Sequence, residues 1–181
     1  MNSETRMIKV GPAGRYNHYY NSPQPFDLKG HKEISQIFVS GGDNGIASIQ
    51  FQYVANGKYE LSGQYGFAGN TNQFHTIELN HPAEYITGVD GLYTDDYIKT
   101  ITFTTNIQKY GPFGITNANL QRNFHNPRLF TYNLGKSSQF GGFHGTYTSN
   151  ALSSIGFYLS VKTTPPNSAS KIPKKETHVT A

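Results

Sequence analysis

Ile46-Ala-Ser-Ile-Gln-Phe51 is the stretch of this sequence that decides the fold, because its pattern recurs twice further along the chain. The other copies are Ile98-Lys-Thr-Ile-Thr-Phe103 and Leu152-Ser-Ser-Ile-Gly-Phe157, and each copy follows a glycine-containing loop. The three copies start 52 and 54 residues apart, which indicates repeated structural units. One small sheet cannot bury its inner face alone, so the repeat predicts three similar sheets packed around a shared axis.

The apolar residues around these copies alternate with period two, and helical spacing is nearly absent. Strands are predicted over 46–53, 98–105 and 155–161, where Tyr, Phe, Ile and Thr dominate, the residue types that fill a half-buried pleated surface. Asn56-Gly57 stands between two such segments and predicts a two-residue hairpin turn. The sequence therefore predicts an all-β protein.

Composition excludes several other classes of protein. The chain has 181 residues, 35% of them apolar, with 13 Tyr and 12 Phe, which is too aromatic for a largely disordered chain. It has no cysteine, so disulfides and thiolate metal sites are excluded. It lacks an apolar run of about 18–20 residues, an apolar N-terminal leader and an Asn-x-Ser/Thr site. We expect a cytoplasmic protein that makes no membrane contact.

Charge and composition distinguish the C-terminal end of the chain from the rest. Residues 7–161 hold ten Lys and Arg against nine Asp and Glu, whereas residues 162–181 hold four Lys against one Glu. A nucleic-acid-binding domain carries its positive charge on a folded face, so nucleic-acid binding is not expected. The segment 162–181 is rich in Pro, Ser, Thr and Lys and is predicted to be a disordered basic tail. Residues 1–6 are an N-terminal segment, and 7–161 form one domain.

Three stretches of this domain resemble the jacalin-related lectin family of plants. They are the opening Lys9-Val-Gly-Pro-Ala-Gly14, the run Lys109-Tyr-Gly-Pro-Phe-Gly114, and the closing Gly141-Gly-Phe-His-Gly145 that leads into Leu152–Tyr158. Glu84-Tyr-Ile-Thr-Gly88 is also similar. The resemblance implies the β-prism I fold, in which three four-stranded Greek-key sheets are related by threefold pseudosymmetry. The cytoplasmic members of this family lack signal peptides.

A narrower resemblance is to the restricted-virus-movement type of jacalin-domain protein. It rests on Ser48-Ile-Gln-Phe-Gln-Tyr53, on the segment 78–88 and on Leu134-Gly-Lys-Ser-Ser-Gln-Phe-Gly-Gly-Phe-His-Gly-Thr-Tyr147. The resemblance implies a role in plant antiviral defence in the phloem, exerted through protein contacts. A charged C-terminal extension such as 162–181 fits this subgroup.

The resemblance also implies a position for a sugar site. In the family, one sugar lies between a glycine of the N-terminal loop and a last loop of form Gly-x-x-x-Asp, whose carboxylate accepts hydrogen bonds from two hydroxyl groups. Here the last loop falls on Ser149–Ser153, and no acidic residue lies between Gly142 and Lys162. His18 stands where a glycine normally lets the backbone approach the sugar. The candidate residues are Gly14, His18, Tyr147, Ser149, Asn150, Ala151 and Ser153.

Two interpretations of these candidates stay open. A hydroxyl in place of a carboxylate weakens binding by about 1.5–3 kcal/mol, roughly ten- to hundred-fold, so mannose-type binding is expected to be weak or lost. Alternatively, His18, Tyr147, Asn150 and Ser153 form a rebuilt neutral site in which the Tyr147 ring stacks on a sugar. The structural alternative is that Tyr147 caps one end of the prism and that Asn150 satisfies loop backbone.

Asp43, in the loop Gly41–Gly45, occupies the region of a possible second sugar site. The structural alternative is a turn residue that bonds to its own loop. Asp43 is therefore a second, separate candidate.

Enzyme signatures are missing from the sequence. The seven His are scattered, without the spacing of metal ligands, and no P-loop, Gly-x-Ser-x-Gly or His-Glu-x-x-His motif occurs. We expect no catalysis, no metal and no cofactor. Two functions remain, a defence protein that acts through protein interaction and self-association, and a mannose-type lectin.

Overall fold

Thirteen strands form within the residues that the computed structural model describes, which are 4–14, 22–67, 73–117, 121–137 and 139–163. The strands are β1 (Glu4–Gly14), β2 (Gln24–Asp27), β3 (Ile34–Gly42), β4 (Gly45–Ala55), β5 (Lys58–Leu61), β6 (Tyr65–Gly66), β7 (Gln73–Glu78), β8 (Ile86–Tyr93), β9 (Ile98–Thr105), β10 (Lys109–Gly114), β11 (Arg128–Asn133), β12 (Phe140–Tyr147) and β13 (Leu152–Thr163). The all-β prediction is confirmed.

The strands form three antiparallel sheets with four positions each. Sheet 1 has the order β1-β13-β12-β2, and sheet 3 has the order β10-β9-β8-β11. Sheet 2 has the order β5-β4-β3-β7, and β6 also pairs with β4. Because β5 and β6 follow one another along the same edge of β4, they are two pieces of one interrupted outer strand. This is the β-prism I arrangement that the family resemblance implies.

The three sequence repeats occupy equivalent strands. They begin β4, β9 and β13, each of which is the second strand in its sheet, and these three strands contact one another. The final Phe of each copy is buried, with Phe51 and Phe103 at 0% and Phe157 at 3% exposure. Burial of a side chain of this size stabilises the fold by roughly 1.5–3 kcal/mol. The repeat therefore supplies part of the core of the prism.

Phe143 of β12 breaks the threefold pattern at the centre of this core. Its ring stacks on Phe51, with the centroids 4.6 Å apart, and meets Phe103 edge-on at 6.0 Å. Phe157, the third repeat residue, packs instead against Tyr132 at 5.1 Å. Offset and edge-to-face contacts are the arrangements that aromatic rings prefer, so one sheet contributes its central ring from a neighbouring strand.

The predicted Asn56-Gly57 hairpin is confirmed. Ala55 pairs with Lys58 across the turn, and the φ angles of Asn56 and Gly57 are +51° and +73°. Two consecutive positive φ angles belong to the hairpin turn whose twist matches the flanking strands.

The paired strands β1 and β13 extend past the domain boundaries expected from the sequence. Glu4 pairs with Thr163 and Thr5 pairs with Lys162, so the paired region includes residues on both sides of 7–161. Residues 164–181 of the expected tail, and residues 1–3, lie outside the described residues.

Candidate functional site

One end of the prism collects the three hairpins β3–β4, β8–β9 and β12–β13, and we call it the hairpin end. Gly42 pairs with Gly45, Tyr93 with Ile98 and Tyr147 with Leu152 at the three turns. The outer strands β1, β6 and β10 finish at this end as well, because their last glycines pair with the first residues of the repeat strands. All the described candidate residues lie here.

Gly14 and Ser153 are neighbours, as the family resemblance requires. Gly14 pairs with Ser154, and its φ is +107°. A Cβ atom added at Gly14 would collide with the carbonyl oxygen of Ser153. A glycine is therefore needed here for both its backbone angle and its close approach. His18 lies outside the described residues.

The hydroxyl of Thr148, a residue that sequence reasoning missed, organises the last hairpin loop. It accepts hydrogen bonds from the backbone N–H groups of Asn150 (3.1 Å) and Ala151 (3.3 Å), and the Thr148 N–H donates to the Ala151 carbonyl. A Ser or Thr that closes its own turn in this way is a recognisable local signal. Thr148 therefore satisfies the backbone that the structural alternative assigned to Asn150.

Exposure separates the candidates of this loop. Ser149 and Asn150 are exposed, whereas Ala151 and Ser153 are buried at 0% and 1%. The position that the family resemblance aligns with the carboxylate is therefore a buried hydroxyl residue, Ser153, in this protein. The exposed polar groups of the loop are Ser149 and the Asn150 amide.

The half-buried ring of Tyr147 packs against other rings at the end of the prism. Its ring lies 5.6 Å from the ring of Tyr65, which is stacked on Phe26 at 4.2 Å. Burial raises the pKa of Tyr65 above its ordinary value, and the nearby hydroxyls of Tyr53 and Tyr147 add to the increase. These contacts support the capping role for Tyr147 over the ligand role.

The threefold pseudosymmetry makes two further positions, Ala47 and Lys99, equivalent to Ser153. A Cβ at Gly66 would collide with the Ala47 carbonyl, and one at Gly114 would collide with the Lys99 carbonyl, just as Gly14 faces Ser153. The φ angles of Gly66 and Gly114 are +109° and +94°. None of the three equivalent positions carries a carboxylate.

Lys99 occupies the third of these positions, and its ammonium group contacts other residues of the protein. Its Nζ donates to the Asn44 carbonyl at 2.9 Å and lies 5.5 Å from the ring centroids of Tyr97 and Phe124. Burial lowers the pKa of Lys99 below its ordinary value of 10.5, although Asp96 opposes the effect. Lys99 therefore ties the β3–β4 turn to the β8–β9 turn.

Asp43 of the β3–β4 hairpin and Asn150 of the β12–β13 hairpin both line one cavity of about 240 Å³. Asn44, Ala47 and Phe67 also line this cavity, and Phe67 is 52% exposed. Sequence reasoning named Asp43 and Asn150 as members of separate sites and missed Phe67. An exposed Phe that directly follows the glycine turn at Gly66 is the signal that could have revealed it.

Asp43 also borders a second cavity, of about 300 Å³, which Gln73, Thr116 and Asn117 line. Its carboxylate is exposed at the turn between the two cavities. Amides, hydroxyls, one carboxylate and one ring are groups that can bind a polar, hydroxyl-rich molecule.

Other classes of site are not found in the described part of the chain. Among these residues, no three His, Asp or Glu side chains come together as a metal ion requires. Within the same ranges, no helix has the length and apolar character needed to span a membrane.

Comparison with known proteins agrees with this geometry. Residues 11–158 match the family model described as the jacalin-like lectin domain. The chain is 43% identical to Protein RESTRICTED TEV MOVEMENT 1 of Arabidopsis thaliana, covering 88% of this chain and 90% of that protein. It is 41% identical, with the same coverage, to the Inactive protein RESTRICTED TEV MOVEMENT 1 of the same plant.

Among solved structures, a mannose-specific jacalin-related lectin from Morus nigra, in complex with mannose, matches with a TM-score of 0.68 and 25% identity. The match covers 86% of this chain and 96% of the lectin. With three antiparallel sheets, the close approach of Gly14 to Ser153, and a family model that spans the prism, this chain belongs to the family of jacalin-like lectin domains.

Proposed function

We propose that this protein acts in the cytoplasm of a plant cell in defence, restricting the long-distance movement of a virus through contacts with other proteins. The relative named for restricting TEV movement aligns over 88% of this chain at 43% identity. The absence of cysteine suits a reducing compartment. Catalysis is not part of the proposal.

One observation favours protein contacts over sugar binding. The acidic position of the family site is Ser153, which is 1% exposed, and the equivalent positions are Ala47 and Lys99. A sugar at any of these positions would lose the charge-assisted hydrogen bonds that a carboxylate accepts, which are about twice as strong as neutral ones.

Virus spread tests this proposal. The full chain is expressed in a plant line that TEV invades systemically, beside a shortened chain that ends at Thr163. We expect the full chain to confine the virus to the inoculated leaves, and the shortened chain shows whether residues 164–181 contribute. Since the inactive relative is 41% identical, identity alone does not decide activity. Unrestricted spread with the full chain present would reject the proposal.

Carbohydrate binding is the second candidate function. The observation that favours it is the cavity where the Asp43 carboxylate, the Asn150 amide and the exposed Phe67 ring meet. Two acceptor oxygens beside an amide and a ring suit the hydroxyls and the C–H face of a sugar. Such a site would use a carboxylate from the β3–β4 turn in place of Ser153.

Calorimetry with mannose oligosaccharides distinguishes the two functions. We expect weak or undetectable binding to the unmodified protein, and Ser153→Asp to strengthen it about ten- to hundred-fold. Ser149→Asp is the matched control, because it adds the same charge to the same loop at an exposed position. Tight binding to the unmodified protein that Asp43→Asn abolishes would favour the lectin function.

We also propose that the protein self-associates through β1. This strand forms an edge of sheet 1 over 11 residues, and long edge strands are ready templates for another chain. Ile8 on β1 is 51% exposed, so a second copy alongside it would cover apolar surface.

A further inference from the structure

The outer face of sheet 3 contains a hollow of about 450 Å³. Thr100 and Thr102 of β9 line its floor, and Asp90, Lys109 and Leu129 line its sides. None of the candidate sugar-site residues belongs to its lining. Thr116 lines both this hollow and the second cavity beside Asp43, so the two adjoin, but the hollow contains neither Asp43 nor the loop Ser149–Ser153.

Internal pseudosymmetry explains why sheet 3 is open at this position. Asp90 pairs with Thr102, and the equivalent pair in sheet 1 is His144 with Gly156. There the imidazole covers the glycine so closely that a Cβ at Gly156 would lie 2.5 Å from the ring. Tyr158 packs beside it, with 5.2 Å between the ring centroids.

Sheet 2 fills the same position in another way. Its equivalent pair is Phe38 with Gln50, and the Phe38 ring stacks on that of Phe74 at 6.4 Å. In both other sheets, large side chains cover the face of the sheet. The shorter side chains of Thr102 and Asp90 occupy this position in sheet 3, where the hollow lies, and the threonines of its floor, Thr100 and Thr102, are 7% and 9% exposed.

Two opposite charges face this hollow without partners among the described residues. Asp90 is half-buried and lies between Thr102 of β9 and Thr131 of β11, whereas Lys109 is exposed and pairs with Thr104. The strands β8 and β10 are separated by β9, which places their backbones about 10 Å apart. The carboxylate and the ammonium therefore stand on opposite sides of the threonine floor.

The carboxylate of Asp90, the ammonium group of Lys109 and the threonine hydroxyls determine which kind of ligand the hollow can bind. One carboxylate and one ammonium leave the hollow with no net charge, so neither a metal ion nor a phosphate is favoured. The carboxylate accepts hydrogen bonds and the ammonium donates them, and threonine hydroxyls do both. Hydroxyl groups on a ligand can form hydrogen bonds with the carboxylate, the ammonium group and the threonine hydroxyls, and an uncharged ligand avoids the cost of desolvating its own charge.

Apolar groups complete the lining. Leu92, Pro112 and Leu129 contribute side chains to the hollow, and Leu129 is 81% exposed. A sugar ring presents hydroxyls at its edge and C–H groups on its face, which matches such a mixed surface. The volume lies at the lower end of the roughly 300–1,000 Å³ of ligand pockets.

We propose that this hollow is a binding site for a neutral saccharide of one or two rings, with Asp90 as the acceptor of two ring hydroxyls. Lys109 donates to a hydroxyl or ring oxygen at the opposite side, and Leu129 contacts the C–H face. The site does not depend on the carboxylate missing from position 153.

Amide NMR of the full-length, isotope-labelled protein tests this site. Methyl mannoside, methyl glucoside, methyl galactoside and maltose are each added to about 20 mM, which nearly saturates a site with a Kd of about 1 mM. We expect one of them to shift the amides of Asp90, Thr100, Thr102 and Leu129. Asp90→Asn should weaken that binding at least ten-fold, and Lys109→Met should weaken it several-fold.

Glu60→Gln is the matched control, since it removes an exposed carboxylate on β5 of sheet 2 and should leave the affinity unchanged. Lys109 is exposed, so its variant keeps the test valid if Asp90→Asn does not fold. Shifts confined to the residues of the hairpin end, or no shifts with any of the four sugars, would overturn the proposal. Binding at sheet 3 that neither variant weakens would also overturn it.

Discussion

Glu84 shows how a single buried carboxylate can be structural in this family. It is 3% exposed and accepts hydrogen bonds from the Asn80 N–H (3.0 Å), the Thr105 hydroxyl (2.7 Å) and the Tyr110 hydroxyl (2.9 Å). Burial alone would raise the pKa of Glu84, but these three donors hold it below its ordinary value of 4.5. Glu84 and Tyr110 both belong to stretches that carry the family resemblance, and their shared role is to join strands.

This network predicts a pH-dependent loss of stability. We expect Glu84→Gln to lower the free energy of unfolding at pH 7 by about 1–3 kcal/mol, because an amide cannot accept from all three donors. The unfolded chain binds a proton at Glu84 as the pH falls through about 4.5, before the folded chain does. The contribution of Glu84 is therefore present above pH 4.5 and declines below it, which urea denaturation at pH 7 and pH 4 would measure.

Glu78→Gln provides the control for that measurement. Glu78 is exposed and accepts a hydrogen bond from Gln36 on the surface, so its replacement should change stability by less than about 0.5 kcal/mol. Equal losses in the two variants, or a Glu84→Gln loss that grows as the pH falls, would contradict the assigned role.

Three interrupted outer strands follow one design at the scale of elements. Lys9–Gly14, Leu61–Gly66 and Lys109–Gly114 each run to a glycine with positive φ that presses on the adjacent repeat strand. The first and last of these runs share Lys-x-Gly-Pro-x-Gly, and the middle one reads Leu-Ser-Gly-Gln-Tyr-Gly. The middle run lacks the Lys and the Pro of the other two, so its sequence alone does not identify it as a third copy.

Alanine at Gly114 tests this design. Its Cβ would collide with the Lys99 carbonyl and lie 2.9 Å from Ile46 Cδ1, so both backbone strain and steric overlap destabilise the variant. Gly57→Ala isolates the strain, because Gly57 has a φ of +73° but no neighbour within 4 Å. We expect about 1–2 kcal/mol for Gly57→Ala and a clearly larger loss for Gly114→Ala in urea denaturation. Similar losses would show that the close contact is unimportant.

The packing of the three sheets in the whole molecule determines which parts of the fold and of the site could be predicted from the sequence. Periodicity and spacing predict the three sheets, since the repeat strands β4, β9 and β13 carry their own pattern. The family motif also predicts that Gly14 and Ser153 lie close together, as they do. The cavity shared by Asp43 and Asn150, and the packing of Tyr147 on Tyr65, join residues that are distant in the sequence. No local pattern encodes such contacts, because they follow from how the sheets pack.

Assembly is the property of the whole molecule that the open edge of β1 predicts. If two copies pair along β1, Ile8→Lys should weaken self-association at least ten-fold, because it places a charge on an apolar edge, a device by which proteins keep edge strands unpaired. Sedimentation across a range of concentrations measures this change. Leu129→Lys is the control, since Leu129 is 81% exposed on sheet 3 and its replacement should leave the association unchanged. A monomer at every concentration would contradict the proposed pairing, and an equal effect of both variants would place the interface elsewhere.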